Sequence, residues 1–417
     1  MNQNQELHPC FSQKAQHTHG RVHLPVAPRC NIQCNYCNRK YDCANENRPG
    51  VTSAVLSPNK AMDYLRRSVA HDPRISVAAI AGPGDAFANP AETLETLRLM
   101  RKEFPEMIGC LSTNGLELAP HIQELHGLGV NYVTVTVNAV DPVILAEVYA
   151  WVRFNKKTYR GLAAAQMMLE RQMEAIEALK AMDFTVKINT VVLPGINDHH
   201  IPELARQLST LHIDRMNLIP VGKNENEFFD HVPEPTLELM DQLRQAVSQY
   251  VPLMTHCKRC RSDAAGLLGQ EDPRYQQILL EVNAPFKEKP RVAVATQEGV
   301  FVNQHLGEAE RLLVFEPFED GYRLLEERTA PPSGLGDMRW DIMASTLHDC
   351  GVLLVSGIGG KPLEILGKSE LKVVEVNGFI EDHLATIAGG KLPAAKQDRS
   401  MFKCGSECGG DGTGCGA

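Results

Sequence analysis

The residues richest in chemistry are Cys30, Cys34 and Cys37, in the run Cys30-Asn31-Ile32-Gln33-Cys34-Asn35-Tyr36-Cys37. This CxxxCxxC spacing supplies three thiolates. They satisfy three irons of a [4Fe–4S] cubane and leave the fourth without a protein ligand. An open iron can chelate the amino and carboxylate groups of S-adenosylmethionine. One electron from such a cluster then cleaves the sulfonium and yields a 5′-deoxyadenosyl radical. Structural zinc wants four ligands, usually in paired CxxC spacing. Electron-transfer ferredoxins recruit four cysteines at other spacings. The spacing favours the radical chemistry over both.

Soft ligands remain after one cluster is satisfied. The chain has 12 cysteines. Cys10, Cys43, Cys110, Cys257 and Cys260 are left over, with His8 and His23 close to the first group in sequence. A lone cysteine is usually a small buried hydrophobe, and Cys350 is read that way. The Cys257–Cys260 pair is stronger, because it repeats a metal-ligand spacing. Together these residues suggest further iron–sulfur clusters beside the radical site. Cys404, Cys408 and Cys415 lie in a glycine-rich tail that is a candidate cluster or precursor receiver.

The elements that must position these groups alternate. β-Rich runs at 22–27, 75–81, 107–112, 131–138, 184–193 and 213–221 are separated by helical stretches such as 58–71, 91–104 and 166–182. Strands alternating with helices indicate parallel βαβ units. Six units predict an α/β fold with a partial barrel. Chemistry in barrels sits on loops after the strands, where the odd residues fall. The Cys30–Cys37 loop follows the first strand, and Gly82-Pro83-Gly84-Asp85 the second. Cys110 and Ser112-Thr113-Asn114-Gly115 end the third, Asn138 the fourth, and Asn189 falls near the end of the fifth. All are therefore expected to face one mouth. Taken singly, Gly82–Asp85 reads as a tight turn and Ser112–Asn114 as a turn or cap. Their position makes them candidate partners for the methionyl amine and carboxylate. Tyr36 is placed either beside the adenine or in plain packing.

The expected domains are a barrel with cluster-binding extensions over 1–270, a charged, proline-containing linker over 271–290, a small α/β domain over 291–398 and a flexible tail over 399–417. In the small domain, strands are expected at 291–295, 311–316, 322–328, 352–356 and 371–376, with helices at 338–349 and 379–387. The net charge of −9 argues against bulk nucleic-acid binding, which needs a basic face. No run of about 18 apolar residues suggests a membrane span. The polar N-terminus shows no secretory signal, so a cytoplasmic location is expected. There the cysteines serve metal rather than disulfides.

The long cysteine segment from Val26 to Glu46, with His8-Pro9-Cys10, Ala81–Asp85, Leu111–Gly115, Pro194-Gly195-Ile196-Asn197-Asp198 and Cys257–Ala264, resembles the NifB family of nitrogenase cofactor biosynthesis proteins. The resemblance covers nearly the whole chain. It implies a radical S-adenosylmethionine partial (βα)6 barrel followed by a NifX-like, ribonuclease H-like domain, in which Asn303-Gln304-His305-Leu306-Gly307 is the clearest match. His305 is then a candidate precursor ligand, or equally, as one isolated His in a loop, a structural residue. The resemblance also implies a reaction in which two auxiliary [4Fe–4S] clusters are fused around a carbide, with one sulfur added, into an eight-iron precursor. One S-adenosylmethionine donates a methyl group to a cluster sulfide, and a second provides the radical that abstracts hydrogen from it. Cys10, His23, Cys43, Cys110, Cys257 and Cys260 become candidate auxiliary-cluster ligands. The implied partners are an iron–sulfur donor protein and downstream cofactor carriers or scaffolds. A passive cluster scaffold, or a multi-cluster radical enzyme acting on another substrate such as a peptide, remain competing readings.

Overall fold

The structure is a computed structural model. It describes residues 7–47, 50–222, 228–257, 260–270, 272–283, 289–319, 321–369, 371–389 and 392–395. The cysteines of the tail lie outside the described residues. The chain divides into two units, Met1–Asn283 and Ala284–Ala417.

The strands of the first unit are β1 (Gly20–His23), β2 (Ile32–Cys34), β3 (Ile75–Ile80), β4 (Ile108–Thr113), β5 (Val130–Thr136), β6 (Tyr149–Phe154), β7 (Lys157–Tyr159), β8 (Thr185–Val192), β9 (Arg215–Pro220) and β10 (Ala265–Gly266). Its helices are α1 (Pro58–His71), α2 (Pro90–Glu103), α3 (Ile122–Gly127), α4 (Pro142–Val148), α5 (Gly161–Ala181), α6 (Ile201–Ser209), α7 (Leu237–Val247) and α8 (Pro273–Asn283). Seven strands form one curled half-barrel sheet in the order β10-β1-β3-β4-β5-β8-β9. All its pairings are parallel except β10 on β1. The six parallel strands are the six expected units, each within a few residues of its predicted place.

Successive side chains of a strand point to opposite faces. Val22, Ala78, Ile80, Leu111, Val133, Val135, Val186, Ile188, Met216 and Leu218 face the helices and join the main core with Leu65, Leu97, Ile176 and Leu204. In α5, Met168, Ile176 and Leu179 are fully buried, while Met173 packs at the rim of the core. The intervening residues face the inside of the curl. Two features depart from expectation. The cysteine loop is not all loop: β2 lies within it and pairs with β6, which pairs with β7 in a separate three-stranded sheet. The stretch expected as a linker carries α8, which docks on α1 through Arg67–Glu281 and His71–Asp272 contacts. Its charges are the outer face of an amphipathic helix, whose inner face buries Tyr275, Ile278 and Leu279.

The second unit has β11 (Arg291–Val294), β12 (Arg311–Phe318), β13 (Gly321–Thr329), β14 (Cys350–Val355) and β15 (Lys372–Glu375), ordered β13-β12-β11-β14-β15. Its helices are α9 (Met338–Thr346), α10 (Gly360–Lys368) and α11 (Ile380–Ala388). The sequence pattern anticipated all of these but α10. Cys350 is buried in one of its cores, as expected for packing. Among the described residues no helix is long and apolar enough to cross a membrane.

Candidate active site

The cysteine loop is fixed by backbone pairing. The Gly84 and Asp85 N–H groups donate to the Ala27 and Arg29 carbonyls at 2.7 and 2.8 Å. A Cβ on Gly84 would lie 2.2 Å from the Arg29 oxygen, so only glycine lets the Gly82–Asp85 turn dock beneath Cys30. The Asp85 carboxylate is buried and turned inward. It accepts from the N–H groups of Phe87, Ala88 and Asn114 and from the Thr113 hydroxyl. The Asn114 amide donates to Asn31 at 2.7 Å and lies 3.8 Å from the Cys30 sulfur. Thus Asp85, Thr113 and Asn114 tie the second and third strand ends to the cysteine loop. Tyr36 is fully buried, its hydroxyl donating to Asn45 and accepting from Asn138. Its side chain packs between these two asparagines.

Cys30, Cys34, Cys37 and Cys43 line one cavity of about 260 Å³, together with Pro83, Gly84 and Arg39. Among the described residues no three His, Cys, Asp or Glu groups close on the position of a single metal ion. Burial raises the pKa of the Cys30, Cys34 and Cys43 thiols. Cluster binding there would release protons.

The other candidate ligands are elsewhere. Cys10, His23, Cys110, Cys257 and Cys260 line a second cavity, the lumen of the half-barrel. Its wall is the set of inward-facing strand residues: Arg21 and His23 on β1, Val77 and Ala79 on β3, Cys110 and Ser112 on β4, Thr134 on β5, Lys187 and Asn189 on β8, and Asn217 on β9. The register pairs His23 with Ala79 and Ala79 with Cys110. Strands lie about 4.8 Å apart, so His23 and Cys110 stand roughly 10 Å apart across a row whose middle member is only a methyl group. Cys10 arrives from the N-terminal segment. There Phe11 packs on Val77, Ile108 and Tyr132, and His256 donates to the Pro9 carbonyl at 2.9 Å. The second CxxC arrives beside β10, which pairs with β1. The expectation of one shared mouth is therefore corrected. Cys43 stays with the first three thiols, and the other five candidate ligands line the lumen, because strand residues 23 and 110 point into the curl rather than out of its end.

The two cavities meet at the turn 43–47. The Cys43 carbonyl accepts from Glu46 and Asn47 N–H groups, and Asn189 donates to the Asn45 carbonyl at 3.0 Å. Cys43 faces one cavity and Glu46 the other.

His23 has the geometry of a prepared ligand. Its Nδ1 lies 2.9 Å from the Arg261 carbonyl, which can only accept, so Nδ1 carries the proton. Burial holds the ring neutral, with its pKa pulled down to about 3. The Nε2 lone pair is then available, the arrangement usual for metal-bound histidine. Burial pushes the Cys10 thiol up to about 11 and Cys110 to about 12.

Sequence reasoning missed Arg21, Glu46, Lys187 and Asn217 in the lumen. The signal was present for two of them. Strands buried on both faces read as nearly continuous apolar runs, and Arg21 and Lys187 interrupt such runs. Asn217 donates to the Cys257 sulfur at 3.6 Å.

Comparison with known proteins bears on the same residues. Residues 24–208 match the radical SAM superfamily, and residues 288–390 match the dinitrogenase iron-molybdenum cofactor family. Over 100% of both chains, the sequence is 45% identical to the FeMo cofactor biosynthesis protein NifB of Chlorobaculum tepidum. The chain belongs to the NifB family. It is also 35% identical to NifB of Bradyrhizobium diazoefficiens, over 95% of this chain and 88% of that protein. To NifB of Klebsiella pneumoniae it is 37% identical, over 78% of this chain and 75% of that protein. As a radical SAM member of the NifB family, the chain is a radical SAM enzyme of FeMo cofactor biosynthesis. That membership implies one [4Fe–4S] cluster and S-adenosylmethionine.

Proposed function

We propose that the chain fuses two [4Fe–4S] clusters, with insertion of a carbide drawn from S-adenosylmethionine and one added sulfur. The product is the eight-iron precursor of the nitrogenase iron-molybdenum cofactor. In class this is methyl transfer followed by hydrogen abstraction, so the enzyme has transferase and lyase character. The observation that carries the reading is the pair of adjoining cavities. One collects three thiols with radical-cluster spacing, and the other collects four thiols and an oriented imidazole.

A [4Fe–4S] cluster held by Cys30, Cys34 and Cys37 would supply reductive cleavage of S-adenosylmethionine. The chain's own residues do the positioning. Asp85, Thr113 and Asn114 lock the strand ends beside that cavity, and Pro83 and Gly84 offer a wall without bulk. Tyr36, Asn45 and Asn138 brace the turn between the cavities. Ser112 and Asn189, assigned to the cosubstrate on sequence, line the lumen side, where they would face the substrate clusters. The clusters to be joined are substrate, presented by Cys10, His23, Cys110, Cys257 and Cys260, with Cys43 at the boundary. The lumen as it stands holds only about 60 Å³. Taking in clusters requires the non-strand residues that line it, His8, Cys10, Cys257 and Cys260, to draw back, since the strand register leaves the barrel wall less freedom.

The second unit, with its match to the iron-molybdenum cofactor family, is assigned to holding or passing on the precursor. The partners are an iron–sulfur donor protein before the reaction and a cofactor carrier after it, in the cytoplasm. The test is anaerobic reconstitution with iron and sulfide, reduction, and addition of S-adenosylmethionine. Formation of both 5′-deoxyadenosine and S-adenosylhomocysteine supports the proposal. Deoxyadenosine alone indicates a radical enzyme without methyl transfer, and neither product indicates a scaffold.

A further inference from the structure

Two cations stand in the lumen with no ion-pair partner among the described residues. Arg21 is 5% exposed and Lys187 is 8% exposed. Among the described residues, no carboxylate lies within ion-pair distance of either. The Arg21 guanidinium spends Nη1 on the Gly266 and Leu267 carbonyls and turns Nη2 to the Cys260 sulfur at 3.0 Å. Its buried Nε has no partner. Lys187 faces Cys10, Cys110, Cys257 and Glu46. Glu46, the one carboxylate in the cavity lining, leaves its buried Oε1 without a hydrogen-bond partner.

Charged groups leave water at a large cost unless something of opposite sign meets them. A fold has cheaper ways to fill a barrel, as the apolar layers of ordinary barrels illustrate. Two cations without an ion-pair partner among four thiols and two imidazoles thus describe a site made for an anion. Thiolate-ligated iron–sulfur clusters are anions, and they deliver their charge to the sulfurs these cations face.

We propose that Lys187, assisted by Arg21, is the charge-compensating residue of the lumen: it holds the anionic iron–sulfur substrate in place and sets how readily that substrate accepts an electron. This inference rests on the reading of the lumen as the site of the auxiliary clusters. Lys187 acts through the clusters and their ligands, so it is a positioning residue. Arg21 anchors the Cys260 end through its sulfur contact, and Lys187 serves the Cys10, Cys110 and Cys257 side.

The test compares wild type with Lys187→Met and Lys187→Arg in the full-length chain. Three readouts are taken: the thermal midpoint of the iron-free protein, iron and sulfide per chain after reconstitution, and the reduction potentials of the clusters by EPR-monitored titration. The iron-free Lys187→Met protein should melt higher than wild type, because an unmet buried charge has been removed. After reconstitution it should hold about one third of the wild-type iron, its radical cluster intact. Any auxiliary cluster it retains should reduce at a more negative potential. Lys187→Arg should restore both loading and potential. Wild type that takes up only one cluster overturns the lumen reading itself. Wild type with three clusters, and Lys187→Met with three at unchanged potentials, overturns the charge-compensating role of Lys187. A lower melting point for iron-free Lys187→Met also counts against it, since that is the mark of a packing role.

Discussion

The row His23–Ala79–Cys110 makes the size of residue 79 decisive. Leucine at this position adds three carbons on the face that lines the lumen. If they enter the void, each buried carbon contributes about 0.8 kcal/mol, or roughly 2 kcal/mol in all. Crowding a packed interior costs about 1–3 kcal/mol in the other direction. The two nearly cancel, so iron-free Ala79→Leu should fold with a thermal midpoint within about 4 °C of wild type. Cluster loading is not balanced in the same way. A cubane bridging His23 and Cys110 needs the room that the leucine now fills, and a covalent side chain cannot be displaced. Reconstituted Ala79→Leu should therefore lose that cubane and drop from roughly twelve irons per chain to roughly eight. Its remaining spectrum should keep the site-differentiated cluster, still perturbed by S-adenosylmethionine. The assay is anaerobic reconstitution with iron and sulfide counting, beside thermal denaturation of the iron-free protein. A folded Ala79→Leu with full iron content would refute the assignment of the lumen as the auxiliary site.

Three further outcomes are expected. His23→Ala should leave the radical cluster intact and change the Mössbauer signature of the auxiliary iron; unchanged auxiliary spectra would sink the ligand assignment. Asp85→Ala strands the N–H groups of Phe87, Ala88 and Asn114 in a buried site, and should cost roughly 3 kcal/mol or more in urea unfolding of the first unit. In the second unit, Arg328 and Arg291 grip Asp349 and hold its carboxyl well below the ordinary value of 3.8. A depressed folded pKa gives stability that is complete above the ordinary value and is lost as pH falls toward the folded one. Wild type should therefore lose stability on acidification below about pH 4, while Asp349→Asn should start roughly 1–3 kcal/mol less stable and show a flatter slope. Trp340 fluorescence in a Trp151→Phe background reports that unit.

The parallel strands were legible because each is a short apolar run between helical periods, and α1 falls on the expected helical stretch 58–71. The radical triad was legible because its spacing is local. The lumen was not, for a physical reason. Strands buried on both faces carry no alternation, so nothing in the sequence separates residues that face the helices, such as Leu111, from those that face inward, such as Cys110. The union of Cys10, Cys110 and Cys257 depends on contacts between residues far apart in the chain: β10 lying antiparallel on β1, and Phe11 plugging the sheet beside Tyr132. Neither has a local signature. The short β2–β6 pairing was invisible for the same reason, since Ile32–Cys34 is too brief to show a period. Arg21 and Lys187 were the internal clues, charges in buried strands, and their meaning depends on neighbours that only the fold supplies.

The central claim is that carbon from S-adenosylmethionine ends inside an iron–sulfur product assembled in this chain. The most direct measurement is to supply S-adenosylmethionine labelled in the methyl carbon to the reconstituted, reduced enzyme, and then to separate the iron–sulfur product from the protein. Label is expected in an eight-iron product, and is expected to be absent with the Cys34→Ala variant. Label that stays in small molecules or on the protein, while the clusters remain four-iron units, would contradict the claim.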